Sequence, residues 1–371
     1  MSAPPDAAAA PSAAPPDPRP CRPYTAAENL QRDVIALLGL PIDVIDEAGA
    51  AARIEAAIRD RRKLFLTTPN LNFLIGCQRD PAFARSVLDS DLSLADGMPL
   101  LWLARLLGVP LPERVAGSSL FERLRQTPPG PDVIPIRVYY FGGPPGAAEA
   151  AAQRTNADGG RMHCVGWASP GFEPVERLST PEWLDPIDAA QPDFLVIALG
   201  AQKGQAWIQR NRAQLNVPVI SHLGAVVNFA AGTVSRAPLW VQRFGLEWVW
   251  RIKEEPQLWR RYWNDGVGLL QVLRDRVGPE AWRLWRARRS AASGASLEAG
   301  SGAKVELVES ESGVTLRLSG DLLGPVSAEV REALVRVAGE SRVRVEEVGP
   351  VGPRLGGSLL LGGVVSGRTV A

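Results

Sequence analysis

The sequence predicts an α/β fold with an open, mostly parallel sheet, a helical appendage and a small second α/β unit. Two observations predict it. Short, wholly apolar runs recur along the chain, which is typical of strands buried on both faces of a parallel sheet. A stretch with helical periodicity follows most of these runs, and this alternation favours helices on both faces of the sheet. With 371 residues, the chain is long enough for two domains.

The predicted strands and helices alternate up to residue 221. The strands are Leu64–Thr68, Leu92–Ala95, Ile136–Phe141, Phe194–Leu199 and Val217–Ser221. The helices that follow the first four strands are Asn70–Cys77, Met98–Leu107, Ala147–Gln153 and Gln205–Leu215. Glycines at 97, 142 and 200 stand where the chain would turn from strand to helix. This order predicts a Rossmann-like sheet.

The chain divides into five predicted segments. They are a disordered Ala/Pro-rich tail (1–23), an α/β core (24–235), a basic Trp-rich helical appendage (236–289), a Ser/Gly/Ala linker (290–303) and a small α/β domain (304–371). The predicted strands of the last segment are Lys304–Glu309, Val314–Leu318 and Arg342–Val348. A helix is predicted between the second and third of these strands, over Ser327–Val337.

The appendage is basic and rich in tryptophan. From Arg236 to Ser290 there are twelve Lys and Arg residues against six Asp and Glu, in a chain whose formal net charge is +1. Seven of the eleven tryptophans lie there too. This composition favours an anionic membrane surface or a phosphate group as partner, and it argues against nucleic-acid binding. No apolar run approaches the roughly 18 residues of a membrane span, and three unclustered cysteines favour a reducing cytoplasm.

One predicted helix of the appendage has an apolar face opposite Arg260, Arg261 and Asp265. The residues of that face are Leu258, Trp259, Tyr262, Trp263, Val267, Leu270 and Leu273. Two interpretations stay open. The segment is either a helical layer that packs on the sheet with a solvated basic face, or a surface that seeks the membrane interface and binds phosphate through its arginines.

Asp96 is a candidate general base, because it follows a predicted strand and strand ends of a parallel sheet meet at one crevice. The competing interpretation is that Asp96 caps the helix beginning at Met98, and residue type alone favours the cap. Phe141–Gly146, between a strand and a helix, predicts either a diphosphate cradle or a plain tight turn.

Other motifs carry weaker signals. Asp89-Ser90-Asp91 has the D-x-D form of some metal-dependent transferases, but its position after a helical stretch favours a solvated turn, so no metal site is predicted. His163 and His222 lie in apolar runs and are predicted to be buried structural histidines. The fingerprint of a dehydrogenase, with an acidic residue about 20 positions on, is absent from the sequence.

Eight short motifs come in one order along the chain. They are Thr68-Pro-Asn70, Leu94-Ala-Asp96-Gly97, Arg114-Val-Ala-Gly117-Ser118, Phe141-Gly-Gly143, Phe229-Ala-Ala-Gly232, Arg236-Ala-Pro238, Glu247-Trp248-Val-Trp-Arg251, and Glu255-Pro256 through Arg261-Tyr262. Together they resemble the WecG/TagA/CpsF glycosyltransferases, glycosyltransferase family 26. The similarity extends from about Asp33 to Asp275, nearly two thirds of the chain.

This resemblance implies an inverting, metal-independent transferase without a cofactor. The donor would be UDP-N-acetylmannosamine or its uronic acid, and the acceptor GlcNAc on undecaprenyl diphosphate. The enzyme would work in the cytoplasm, as a peripheral protein on the inner face of the cell membrane. The product would be part of a cell-wall, capsular or exopolysaccharide polymer.

The resemblance also assigns roles to residues. Asp96 matches the proposed base, which reverses the preference for a helix cap. Arg251 and Arg261 match the segment that would read the acceptor diphosphate. The residues expected at the donor site are Thr68, Asn70, Arg114, Gly117, Gly142, Gly143, Gln205 and Arg236.

Three positions depart from the pattern. The family motif Gly-x-Pro-Lys-Gln-Glu has its Gln where this chain has Gly204, and this chain has Gln205 one position later. An expected arginine is absent from Gln257-Leu258, and Asn228 replaces a common Asp. A catalytically weak member that serves as a scaffold subunit of a polysaccharide assembly complex is therefore the alternative hypothesis.

The C-terminal segment loosely resembles a STAS domain. The residues that carry this resemblance are Gly313–Asp321 and Leu355–Leu361. The Asp-Ser pair that is phosphorylated in regulatory members of that fold is missing. The resemblance implies a protein partner for this segment.

Overall fold

The computed structural model describes most of residues 17–286 and three later strands. The described residues are 17, 19–25, 28–29, 31–108, 111–128, 130–131, 133–235, 237–238, 241, 245–279, 281–282, 285–286, 304–310, 313–319 and 343–348. They form two compact units. The first contains Glu47–Thr68, Val115–Trp259 and the strand at Arg22–Pro23, and the second contains Tyr24–Asp46, Pro69–Arg114 and the described residues from Arg260 onward.

The strands of the described residues are β1 (Arg22–Pro23), β2 (Val34–Leu37), β3 (Leu40–Asp43), β4 (Arg62–Thr67), β5 (Leu92–Ser93), β6 (Ile136–Gly142), β7 (Met162–Ala168), β8 (Phe194–Ala198), β9 (Val219–His222), β10 (Lys304–Ser310), β11 (Gly313–Ser319) and β12 (Val343–Val348). The α-helices are α1 (Glu47–Arg59), α2 (Leu71–Arg79), α3 (Pro81–Leu88), α4 (Met98–Leu106), α5 (Gly117–Gln126), α6 (Ala147–Ala157), α7 (Pro181–Ala190), α8 (Ala201–Asn211), α9 (Gly224–Ala231), α10 (Glu247–Glu254) and α11 (Trp259–Val272). Short 3₁₀ turns cover Arg177–Ser179 and Pro256–Leu258, and a π-helical turn at Leu273–Val277 extends α11.

A parallel sheet forms the centre of the first unit. Its strands follow the order β1-β4-β9-β8-β6-β7, and every neighbouring pair is parallel. Parallel neighbours need crossover connections, which α6, α7 and α8 provide between successive strands from β6 to β9. The predicted open, mostly parallel sheet is confirmed.

Helices cover both faces of this sheet. Phe141 of β6 stacks on Trp207 of α8, with ring centroids 5.0 Å apart. The preceding residue, Tyr140, contacts Phe121 of α5 at a centroid distance of 6.3 Å. Since successive strand residues point to opposite faces, α8 and α5 lie on opposite faces of the sheet. Trp207 is fully buried, and its Nε1–H donates to the Leu178 carbonyl at 2.7 Å.

The first unit differs from the sequence prediction in several elements, since β7, α1, α5, α7 and α9 were not predicted. The helix predicted at Gln205–Leu215 begins four residues earlier, at Ala201, because Gly200 adopts a φ of 83° and turns the chain directly from β8 into α8. Gln205 therefore lies in the second helical turn. Arg22–Pro23, at the end of the predicted tail, form β1, which pairs with β4.

The second unit contains an antiparallel hairpin of β2 and β3, together with β5 and helices α2, α3, α4 and α11. The C-terminal strands form a sheet in which β10 is antiparallel to β11 and β11 is parallel to β12. The three predicted C-terminal strands are confirmed within one or two residues. The predicted linker and the helix at Ser327–Val337 lie outside the described residues. No described helix is both long and apolar enough to cross a membrane.

Candidate active site

In the first unit, Thr68 and Gly117 lie next to each other. Thr68 directly follows β4 and is 6% exposed. A Cβ on Gly117, the first residue of α5, would lie 3.0 Å from Thr68 Cγ2 and 2.5 Å from Leu223 Cδ2. A side chain at position 117 would displace both neighbours, so this contact requires glycine. The structure thus brings together two of the residues expected at the donor site.

Gly142 and Gly143 hold the end of β6 against the end of β8. Their φ angles are 101° and 94°, and a Cβ on Gly142 would lie 2.7 Å from the Ala198 carbonyl oxygen. The Gly143 N–H donates to the same oxygen at 2.8 Å, and the Ala147 N–H donates to the Pro144 carbonyl at 3.0 Å. Because these two N–H groups are used within the protein, the geometry favours the tight-turn interpretation over the diphosphate cradle.

Buried polar atoms without protein partners occur in α8 and at the end of β9. Gln205 is fully buried, and neither Oε1 nor Nε2 has a hydrogen-bond partner among the described residues. The same is true of Nε2 of His222, the last residue of β9. Burial lowers the pKa of His222 to about 4, so the imidazole is neutral at pH 7. A buried group that lacks a partner costs about 1–3 kcal/mol.

His222 fills the space beside Gly204, where the family resemblance places a glutamine. A Cβ on Gly204 would overlap the His222 imidazole. Gly224, the first residue of α9, also lies against the ring, since a Cβ there would be 3.4 Å from Nε2. Sequence reasoning gave His222 a purely structural role. Its place at the end of a strand was the signal that could have marked it for the site.

In the second unit, Asp96 lies in the loop between β5 and α4. Its N–H donates to the Pro69 carbonyl at 2.8 Å, which joins this loop to the segment leading into α2. The N-cap position of α4 is Gly97, with a φ of 118°, so the position assigned to Asp96 by the capping interpretation belongs to Gly97. A Cβ on Gly97 would lie 3.8 Å from Asn70 Cβ. Asp96 is half-buried, and its loop is adjacent to Asn70.

Asn70 caps a helix, and this limits which of its atoms can bind a ligand. It is the N-cap of α2, and its Oδ1 accepts the N–H of Phe73 at 3.2 Å. The side-chain oxygen is therefore used by the helix. The amide NH₂ group is the part of Asn70 that a ligand can use as a hydrogen-bond donor.

A buried ion pair holds the strand that precedes Asp96. Arg32 donates from Nε and Nη2 to the two carboxylate oxygens of Asp43, at 3.0 and 2.6 Å, and the two side chains are 1% and 2% exposed. Arg32 Nη1 also donates to the Ser90 carbonyl at 2.7 Å. Asp43 Oδ2 accepts the N–H of Ser93 in β5 at 2.7 Å. Sequence reasoning missed this network. The signal that could have revealed it is Asp43, an aspartate inside an apolar run.

Asp89, the first residue of the D-x-D motif, has a structural role. Asp89 is the C-cap residue of α3, and Arg85 Nε lies 2.9 Å from its carboxylate. Such an i,i+4 pair is typical of an exposed helix end. Within the described part of the chain, no cluster of three or more His, Cys, Asp or Glu residues is arranged to hold a metal ion.

The predicted binding arginines have different surroundings. Arg251 of α10 donates from Nη2 to Glu255 Oε2 at 2.8 Å, and its guanidinium lies 5.7 Å from the ring centroid of Phe229. Arg251 belongs to the first unit. Arg114 is half-buried in the segment before α5. Arg236 lies outside the described residues.

Arg261 belongs to α11, which packs on α2 within the second unit. Asn72 Nδ2 donates to Asp265 Oδ1 at 3.1 Å, and a Cβ on Gly268 would lie 2.6 Å from Ile75 Cδ1. Burial raises the pKa of Asp265. The Arg261 side chain is 47% exposed, and its Nε lies 4.0 Å from Asp265. The same unit thus contains Arg261, Asn70 and Asp96.

The outer face of α11 is apolar. Trp263 and Leu270 are 68% and 67% exposed, whereas Asp265 is 6% exposed. The sequence grouped Asp265 with Arg260 and Arg261 on the solvated face, and for Asp265 this was wrong. The helix buries that side because Gly268 permits close approach to α2 and Asn72 hydrogen-bonds the carboxylate. The apolar stripe is consequently left exposed.

Comparisons with known proteins agree on one family. A family model described as "Glycosyl transferase WecG/TagA/CpsF family" matches residues 35–281. Three relatives carry the name N-acetylglucosaminyldiphosphoundecaprenol N-acetyl-beta-D-mannosaminyltransferase. The Bacillus spizizenii protein is 28% identical over 59% of this chain and 84% of its own length. The Bacillus subtilis protein is 24% identical over 57% of this chain and 79% of its own length. One from Staphylococcus aureus is 22% identical over 53% of this chain and 74% of its own length.

Proposed function

The chain belongs to the WecG/TagA/CpsF family of glycosyltransferases, and from this premise we propose that it transfers N-acetylmannosamine or a related sugar from UDP to a polyprenyl-diphosphate-linked acceptor. The names of the three relatives support this choice, because each combines an N-acetylmannosaminyl group with a GlcNAc-diphosphoundecaprenol acceptor. The product belongs to the biosynthesis of a cell-surface polysaccharide.

Asp96 acts as the general base in this proposal. As the acceptor hydroxyl oxygen forms its bond to the anomeric carbon, Asp96 takes the hydroxyl proton, and UDP leaves with the electron pair of the broken bond. A single displacement of this kind inverts the anomeric configuration. The observation that carries the role is the position of Asp96 in a loop tied to the Pro69 carbonyl, next to Asn70 and ahead of the Gly97 cap.

The residues proposed to bind the donor contribute in different ways. Thr68 and Gly117 provide a tightly packed wall, and Asn70 donates from its amide NH₂. Gly142 and Gly143 set the course of the backbone at this site. The Gly143 N–H does not bind the donor, because it donates to the Ala198 carbonyl oxygen. Arg114, Gln205 and Arg236 complete the proposed donor set. Arg251 and Arg261 bind the acceptor diphosphate through charge-assisted hydrogen bonds.

The reaction proceeds without a divalent metal in this proposal, since positively charged side chains offset the charge of the leaving diphosphate. Activity should survive a molar excess of EDTA over the enzyme. Asp89→Asn should also keep wild-type turnover, because Asp89 pairs with Arg85 at 2.9 Å. Loss of activity in EDTA that Mg²⁺ or Mn²⁺ restores would contradict the metal-independent mechanism.

The enzyme works as a peripheral protein on the inner face of the cell membrane. A polyprenyl acceptor stays in the bilayer, so the catalytic site has to approach the membrane surface. The exposed Trp263 and Leu270 of α11, within a segment with a surplus of six basic residues, support this docking. A protein partner for the C-terminal sheet remains part of the proposal.

The proposed function is tested by UDP release from UDP-N-acetylmannosamine in the presence of a polyprenyl-diphosphate-GlcNAc acceptor. Release that depends on both substrates is the expected result. A screen of other UDP-sugars with the same acceptor then identifies the preferred donor. Donor binding without turnover of any UDP-sugar would favour the scaffold hypothesis instead.

A further inference from the structure

Several residues of the first unit have buried polar atoms that the described residues do not satisfy, and two of these residues lie in α8 and at the end of the adjacent β9. They are Gln205, with both Oε1 and Nε2 unpartnered, and His222, with Nε2 unpartnered. Gln205 is fully buried. Buried polar groups in folded proteins are nearly always hydrogen-bonded, so these three unpartnered atoms require an explanation such as a ligand.

His222 stands where a ligand is expected to bind, and Gln205 lies in the helix that follows the neighbouring strand. His222 ends β9 and is paired in register with Ile197 of β8, the strand that leads into the helix of Gln205. The carboxyl ends of β8 and β9 therefore share one edge of the sheet. Crevices at the carboxyl ends of parallel strands are the usual ligand sites of open α/β sheets. His163, by contrast, is the second residue of β7 and lies near the amino end of its strand.

Gly204 and His222 fit each other as a pair. A Cβ at position 204 would overlap the imidazole, so a glutamine at 204 and the observed His222 ring cannot both be accommodated. Glycine at 204 provides the room that the ring occupies. The His222 imidazole, a hydrogen-bonding group, thus occupies the space that a side chain at position 204 would need.

We infer that His222, together with Gln205, binds an uncharged amide-type group of the nucleotide-sugar donor, and that His222 replaces the side chain expected at position 204. An amide presents an N–H donor and a carbonyl acceptor, and the Gln205 amide and one imidazole nitrogen complement both. Two parts of a UDP-linked N-acetyl sugar have this chemistry, the uracil ring and the N-acetyl group. This inference rests on the proposed function.

The electrostatic state of the imidazole agrees with an uncharged partner. Burial lowers the pKa of His222 to about 4, so the ring carries no charge at neutral pH. A neutral ring contributes a hydrogen bond without the attraction that a diphosphate would need. Arginines elsewhere in the chain are better suited to the diphosphate.

The chain contains two histidines, which allows a direct test on the full-length protein. With ¹⁵N-labelled histidine, the spectrum shows two imidazoles, and His163→Gln assigns them. The His222 signals should shift on adding donor while the His163 signals stay in place. A shift with UDP alone identifies the uracil ring, and a shift only with UDP-N-acetylmannosamine identifies the N-acetyl group. Unchanged His222 signals under conditions where calorimetry shows binding would overturn the inference.

Substitutions give a second readout. His222→Leu should weaken binding of the same nucleotide about tenfold, the effect of losing one good hydrogen bond. Gly204→Ala keeps both polar side chains but displaces the ring, so it should also weaken binding, whereas His163→Gln should not. Wild-type affinity in both His222→Leu and Gly204→Ala would overturn this inference alone. A wild-type protein that binds neither UDP nor UDP-N-acetylmannosamine would overturn the proposed function and this inference together.

Discussion

The Asp43 carboxylate, which binds the strand that leads to Asp96, and the His222 imidazole, at the end of β9, differ in how their buried polar atoms are satisfied. Before Asp96, the Asp43 carboxylate is satisfied by Arg32 and by the N–H of Ser93. At the end of β9, the His222 Nε2 has no partner within the described residues. The Asp43 carboxylate has its hydrogen bonds completed within the protein, whereas the His222 Nε2 does not.

This difference agrees with the proposed roles of Asp96 as general base and of His222 as a ligand-binding residue. A general base has to be held in one place, and a completed network holds the backbone around it. A recognition group has to keep its hydrogen-bonding capacity for the ligand, and this costs stability until the ligand binds. Substitutions in the two regions should therefore have opposite effects on folding.

Breaking the completed network should have the largest effect. Asp43→Ala leaves Arg32 buried without its carboxylate, and the free energy of unfolding should fall by about 3–5 kcal/mol. Urea denaturation measures this change. Asp60→Ala is the matched control, because it removes an exposed partner of Arg62 and should cost less than about 1 kcal/mol. Equal losses in the two variants would show that the network does not hold the loop.

The free energy of unfolding should depend on pH through His222. The pKa of His222 is about 4 in the folded protein and ordinarily about 6.5, so the unfolded chain binds a proton that the folded one rejects. The stability contribution of the neutral ring is present above pH 6.5 and is lost as the pH falls towards 4. Between pH 7 and pH 5 the free energy of unfolding should fall by about 2 kcal/mol through this group.

Chemical denaturation of His222→Gln across the same pH range isolates this effect. The variant should lack this part of the pH dependence, while His163→Gln keeps it because His222 is intact. At pH 7, His222→Leu should be neutral or stabilising, since it removes a polar atom without a partner. Parallel pH profiles for wild type and His222→Gln would contradict the assignment of a buried neutral ring.

A third, smaller effect is expected for membrane binding through the exposed face of α11. On this face, apolar side chains are exposed instead of packed against other residues. Trp263→Ser combined with Leu270→Ser should weaken binding to anionic phospholipid vesicles by about tenfold, through the loss of apolar area. Phe172→Ser is the control, because Phe172 is 97% exposed but lies outside the basic segment. Co-sedimentation at low and high salt measures the binding. Equal loss in the two proteins, or binding that ignores lipid charge, would contradict docking through α11.

The sequence predicted what local pattern determines and missed what long-range packing determines. Apolar runs located β4, β6, β8 and β9 of the parallel sheet but not β1 or β7, and Asp96 was recognised at a strand end. The pairing of Arg32 with Asp43 brings together residues of different elements, which no local pattern encodes. The packed face of α11 was assigned wrongly for Asp265, because Gly268 and a single hydrogen bond outweighed the apolar periodicity.

The role of His222 illustrates the same limit. Its apolar surroundings predicted burial, and its imidazole nitrogen is indeed buried. The room for its ring depends on Gly204, which lies on a separate helix. A sequence pattern reports burial well, but hydrogen-bond satisfaction depends on the three-dimensional neighbours.

The central claim, that Asp96 is the base of a glycosyl transfer, is tested most directly by steady-state UDP release from Asp96→Asn. Asparagine keeps the shape of the side chain and cannot take the proton, so kcat should fall by about 100-fold or more. Calorimetric affinity for the UDP-sugar should stay at the wild-type value, and Asp89→Asn should match wild type in both measurements. Near-normal turnover of Asp96→Asn would contradict the account and leave Asp96 as a structural residue of its loop.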